Sequence, residues 1–142
     1  MLRMSGDGNG SSFVRLVLVS HSATIAQGVA ELAAQVAGPD VRIDAVGGAG
    51  DGSLGTDGAR VLEALAGAAS GAGAVVLMDI GGSVLAVRAA LTELAPAQLE
   101  RLFVADAPLV EGAIAAAVTA SMGSSARDVA DAAEGARSVA KL

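Results

Sequence analysis

"FVRLVLVSHSATIAQGVAEL", residues 13–32, carries the reading of the fold. Its first seven residues are a short apolar run rich in branched side chains, the pattern of a buried strand. From Thr24 onward, apolar side chains recur at Ile25, Val29, Leu32 and Val36, and steps of four, three and four mark a helical stripe. Gly38-Pro39 ends that helix. Between strand and helix stands "SHS", with His21, the sole histidine of the 142-residue chain. A strand that hands over at once to a helix opens a βαβ unit.

The same alternation continues along the chain. "VRIDAV" (41–46) sets Val41, Ile43 and Ala45 against Arg42 and Asp44, a second strand. "GGAGDGSLGTDG" (47–58) is a glycine-laden loop. Thr56 or Asp57 is placed to cap the next helix, which carries Val61, Leu62 and Leu65. "AVVLMD" (74–79) is apolar throughout up to its aspartate, as expected of a central strand buried on both faces. "IGGS" turns the chain into a helix expected over 84–95, with Leu85, Ala89 and Leu91 or Thr92 facing inward. "LFVA" (102–105) is a fourth strand. A helix follows over 108–122, with Pro108 near its first turn, and a last one over 125–140, amphipathic through Val129, Ala133 and Val139. The order β-α-β-α-β-α-β-α-α implies a three-layer, doubly wound α/β fold with a mainly parallel sheet of about four strands. Residues 13–142 are expected to form one domain, behind a Gly-, Ser- and Asn-rich lead-in (1–12) expected to be disordered.

Composition narrows the function. Hydrophobic residues make up 53% of the chain, but the aromatics are only Phe13 and Phe103, so the core must be built by close backbone approach. The net charge of −6 and the single lysine, Lys141, argue against nucleic acid and against anionic membrane surfaces. No apolar stretch is long enough to suggest a membrane span, and a cytoplasmic location is expected. The absence of cysteine excludes disulfides, thiolate metal sites and cysteine nucleophiles.

In open parallel sheets ligands sit beyond the carboxyl ends of the strands, where strand order reverses. With order 2-1-3-4, the first and third strands are neighbours about 4.8 Å apart, and His21 faces Asp79 across the switch point. An imidazole held by a carboxylate on one nitrogen has a fixed tautomer and a free, nucleophilic second nitrogen. Glycine amides and helix N-termini beside it can receive an anion. These parts together describe a site that takes a phosphoryl group onto histidine. Each part also has a plainer reading. A lone histidine at a strand end is often structural, Asp79 alone could cap a helix, and the glycines of 47–58 could be loop filler. A receiver domain would also place an aspartate after strand three, but it needs acidic residues after strand one and a lysine after the last strand. This chain has "VSHS" at the first place and its lysine next to last. A non-catalytic regulatory or assembly module is a further alternative; no phosphate loop or dinucleotide fingerprint is present.

Taken together, "VLVSHS", "GTD", "LMDIGGS" and "APLVEGA" resemble the phosphotransfer subunits of phosphoenolpyruvate-dependent dihydroxyacetone kinases, the DhaM family, within the mannose-type IIA domains of the sugar phosphotransferase system. The likeness runs from about Val14 to Met122. It implies that His21 is the phosphoacceptor at Nε2, that Asp79 orients Nδ1, and that Ser22, Gly81, Gly82 and Ser83 contact the phosphate. Thr56 and Asp57 match the family's "GTD". The resemblance further implies the phosphocarrier HPr as donor, ADP on the subunit DhaL as acceptor, DhaK as the substrate subunit, and a homodimer. It implies no cofactor and no metal of its own. A mannose-type sugar IIA component is the runner-up within the same chemistry.

Overall fold

The computed structural model describes residues 13–142; the lead-in at 1–12 lies outside the described residues. Four strands, β1 (Arg15–Ser20), β2 (Ile43–Gly47), β3 (Ala74–Met78) and β4 (Leu102–Val104), form one sheet. Its order is β2-β1-β3-β4 and every pairing is parallel, as the alternation of elements implied. The helices are α1 (Ala23–Ala37), α2 (Gly58–Ala68), α3 (Gly81–Leu91), a single turn α4 (Pro96–Leu99), α5 (Leu109–Ser121) and α6 (Ala126–Gly135). A 3₁₀ turn, Ala136–Ser138, follows.

Successive side chains of a strand point to opposite faces, and the two central strands use both. Leu16, Leu18, Val75 and Leu77 pack under α1, α5 and α6. Val17, Val19, Val76 and Met78 pack under α2 and α3. This is why the third strand reads as a continuous apolar run.

The inner face of α1 differs from the expected stripe. Only Val29 of the four anticipated residues is buried; Ala26, Ala30, Ala33 and Ala37 complete the buried face. Ile25, Leu32 and Val36 are 50%, 46% and 44% exposed. Helix α1 packs closely against α5, whose inner residues after Leu109 in its first turn are Gly112, Ala113, Ala116, Ala117 and Ala120. Two helices faced with alanine and glycine can pack closely only if larger side chains turn outward.

Three further expectations need correction. Helix α3 begins at Gly81, not 84, so the glycines of "IGGS" are its first turn and not a connector. Its inner residues are Ser83, Val87 and Ala90, while Leu85, Ala89 and Thr92 face solvent and Leu91 is partly buried. The last helix ends at Gly135, and Val139 is exposed beyond the 3₁₀ turn. The short α4 starts at Pro96 and was not anticipated.

Candidate active site at the sheet switch point

Strands β1 and β3 run side by side with Val19 opposite Met78, so the residues that follow them leave the sheet together. His21 follows the end of β1 and Asp79 follows β3. The Asp79 amide donates to the Val19 carbonyl at 3.1 Å, carrying the sheet ladder one residue further. Ser22 turns the chain into α1, its hydroxyl accepting the Ile25 amide at 3.2 Å as an N-cap.

Five donors converge on the Asp79 carboxylate. Oδ2 accepts the Ser20 hydroxyl at 2.7 Å and the His21 amide at 3.0 Å. Oδ1 accepts the Ile80 amide at 2.6 Å, the Ser83 hydroxyl at 2.8 Å and His21 Nδ1 at 3.1 Å. Partial burial pushes the Asp79 pKa upward. The Ser20 hydroxyl, the His21 amide, the Ser83 hydroxyl and the Ile80 amide outweigh it and hold the group well below the usual carboxylate range.

An ionised carboxylate only accepts hydrogen bonds, so it assigns the proton of the imidazole to Nδ1. Nε2 is left with its lone pair. The His21 side chain is 27% exposed and that of Asp79 15%, so the ring can be reached from solvent while its partner is largely covered. Beside the ring, Gly81 and Gly82 supply the first two amides of α3, donors that no carbonyl of the same helix can satisfy. The positive end of that helix favours an anion there.

The structure brings His21, Asp79, Gly82 and Ser83 together, but Ser83 is fully buried. Its hydroxyl lies 3.1 Å from Nδ1 as well as against Asp79, on the side of the dyad away from Nε2. Asp57 is the N-cap of α2, accepting the Ala59 and Arg60 amides at 3.0 and 3.4 Å. Thr56 forms a bridge with Gly48, and its buried hydroxyl has no hydrogen-bond partner among the described residues. The loop is tied to the site through the Gly55 amide, which donates to the His21 carbonyl at 2.9 Å.

Ser20 was not among the residues singled out from sequence. It is fully buried, donates to Asp79 and accepts the Ser22 amide at 3.0 Å, so one hydroxyl links the carboxylate to the start of α1. A signal was present: a hydroxyl closing an otherwise apolar central strand must find a partner inside the protein. Among the described residues, no three His, Asp or Glu side chains are grouped so as to hold a metal ion. Among the same residues, no helix is long and apolar enough to cross a membrane.

The chain thus carries a carboxylate-held histidine at the switch point of a doubly wound parallel sheet. The family model EIIA-man, described as the PTS system fructose IIA component, matches residues 15–130, and the chain belongs to that family. Within it, the chain is 39% identical over 105 residues to the phosphoryl donor subunit DhaM of PEP-dependent dihydroxyacetone kinase 2 from Listeria innocua, covering 74% of this chain and 84% of that protein. It is 40% identical over 113 residues to the DhaM subunit of Escherichia coli, covering 78% of this chain but only 24% of that longer protein. Among solved structures, a protein of unknown function, EF1359, superposes with a TM-score of 0.77 at 32% identity, covering 86% of this chain and 93% of that one.

Proposed function

We propose that the chain is the phosphoryl-relay component of a PEP-dependent dihydroxyacetone kinase. In this reading His21 accepts a phosphoryl group from the phosphocarrier HPr and passes it to ADP held on DhaL, which serves the substrate subunit DhaK. The observation that carries the reading is the hydrogen bond between Nδ1 of the only histidine and the Asp79 carboxylate. The names of the relatives support the choice of pathway.

The chemistry follows from the dyad. The Nε2 lone pair attacks phosphorus as the donor's own N–P bond breaks, and that electron pair returns to the donor nitrogen. The proton on Nδ1 stays in place. The ring becomes cationic as the new N–P bond forms, and the Asp79 carboxylate stabilises that charge. In the second half a terminal oxygen of ADP attacks phosphorus in line, and the electron pair of the Nε2–P bond returns to the ring. The amides of Gly81 and Gly82 and the hydroxyl of Ser22 are assigned to the phosphoryl oxygens, and Ser20 and Ser83 to holding Asp79. A net charge of −6 disfavours free nucleotide, so the acceptor subunit supplies both the adenine pocket and the divalent cation.

The test is to incubate the protein with enzyme I, HPr and labelled phosphoenolpyruvate. An acid-labile, base-stable phosphohistidine is expected, lost in His21→Ala. Label on that variant removes the assignment. The phosphorylated protein is then mixed with DhaL carrying Mg-ADP, or with Mg-ADP alone, and rapid loss is expected only with DhaL. A sugar IIA component, the reading favoured by the fructose description of the family model, would keep its phosphate in both mixtures. The same proposal includes a cytoplasmic homodimer, and light scattering giving the mass of one chain at micromolar concentration would refute the dimer.

A further inference from the structure

We infer that Gly82 is a positioning residue, whose missing side chain seats the His21 ring on the first turn of α3 and so keeps Nδ1 on Asp79. An alanine Cβ built at Gly82 would lie 3.0 Å from His21 Cε1, closer still to Nε2, and 3.6 Å from Cδ2. The ring therefore rests against the space a side chain would fill. Gly81, one residue earlier on the same turn, has nothing within 4 Å of its Cβ position. Backbone conformation does not demand a glycine at 82, because its φ lies outside the left-handed region. The requirement is the imidazole itself.

The residue itself cannot back away. Its backbone is held on both sides, by the His21 amide on Asp79 Oδ2 and by the Gly55 amide on the His21 carbonyl. An alanine at 82 must push the ring by about 1 Å to restore ordinary contact distance, and a displacement of that size costs reaction rates about a hundredfold. A ring moved by that much cannot keep the 3.1 Å contact between Nδ1 and Asp79 Oδ1: a shift away takes it out of hydrogen-bond range, and a shift toward the carboxylate collides with it and forces the ring to turn. The tautomer with Nδ1 protonated then loses its support.

This inference rests on the proposed role of His21, but it can be tested apart from it. The chain has one histidine, so its ring nitrogens are unambiguous in ¹⁵N NMR. In the wild-type protein Nδ1 is expected to carry the proton and the ring to show a nuclear Overhauser contact with the Gly82 α-protons. In Gly82→Ala the tautomer is expected to shift toward protonated Nε2, with phosphorylation by HPr slowed about a hundredfold. Gly28→Ala, on α1 with open space at its Cβ position, controls for the general effect of alanine in a helix and is expected to change neither readout. An unchanged tautomer and rate in Gly82→Ala overturns the inference. If that variant does not fold, the wild-type contact decides, and its absence overturns the inference equally. If the tautomer shifts as expected but the wild-type protein takes no label from HPr, the relay reading fails and the role of Gly82 stands.

Discussion

Replacing Asp79 by asparagine keeps the shape of the side chain and exchanges one acceptor oxygen for a donor. The carboxylate takes five hydrogen bonds, two on Oδ2 and three on Oδ1. An amide nitrogen at the Oδ1 position would face the Ile80 amide and either strip the proton from Nδ1 or repel it. At the Oδ2 position it would face the His21 amide, while the Ser20 hydroxyl could rotate to accept. The second orientation is the less costly and leaves one backbone donor unsatisfied. An orphaned donor costs about 1–3 kcal/mol, and the remaining bonds lose the strength that a charged acceptor lends them, so the total is about 2–4 kcal/mol. That is a large part of a typical folding free energy of about 5–15 kcal/mol, yet it leaves the variant folded. Transfer to His21 is expected to fall by about a hundredfold or more, because Nδ1 keeps only a neutral acceptor and the ring loses the charge that balances the phosphorylated state. Urea unfolding at pH 7 reads the first effect and rapid-quench labelling with phosphorylated HPr the second. A variant as stable as the wild type, or one that takes label at the wild-type rate, would refute the reasoning.

Three other outcomes follow from the same contacts. The Asp79 pKa in the folded protein is held below its unfolded value of about 3.9, so its stabilisation is complete above that pH and is lost as pH falls through the folded value; acid titration of stability is expected to be flatter in Asp79→Asn than in the wild type, and equal slopes would count against it. A Cβ at Gly47 would stand 2.5 Å from the Ser22 carbonyl oxygen and 2.9 Å from the Ala23 Cα. Gly47→Ala is therefore expected to cost about 1–3 kcal/mol in urea unfolding and to disturb the His21 amide resonance. On α1, Leu32→Lys is expected to cost less than about 0.5 kcal/mol and Ala33→Leu about 1–3 kcal/mol, the reverse of what the apolar stripe suggests; thermal melts of the pair check it.

The amino-acid sequence by itself determined the alternation of strands and helices, the parallel sheet, and the position of His21 and Asp79 at strand ends. These follow from local periodicity and from the few ways βαβ units can be wound. It also narrowed the cap of α2 to Thr56 or Asp57, because capping is a contact between near neighbours in the chain, and the structure gives it to Asp57. The sheet then brings the two strand ends together, and with them groups far apart in sequence. The Ser20 hydroxyl meets a carboxylate 59 residues away, and the ring of His21 fills the space a side chain would take at Gly82, 61 residues away. The strand pattern announces that the Ser20 hydroxyl needs a partner, but nothing local names that partner or announces the contact at Gly82. Tertiary packing also decided which face of α1 is the inner one. Apolar spacing points to Ile25, Leu32 and Val36, but against the mostly alanine- and glycine-faced α5 the buried face of α1 is alanine with Val29 alone among the larger residues, and Ile25, Leu32 and Val36 turn to solvent. A side chain's hydrophobicity is read one residue at a time, whereas the space it must fill belongs to its neighbours in the fold.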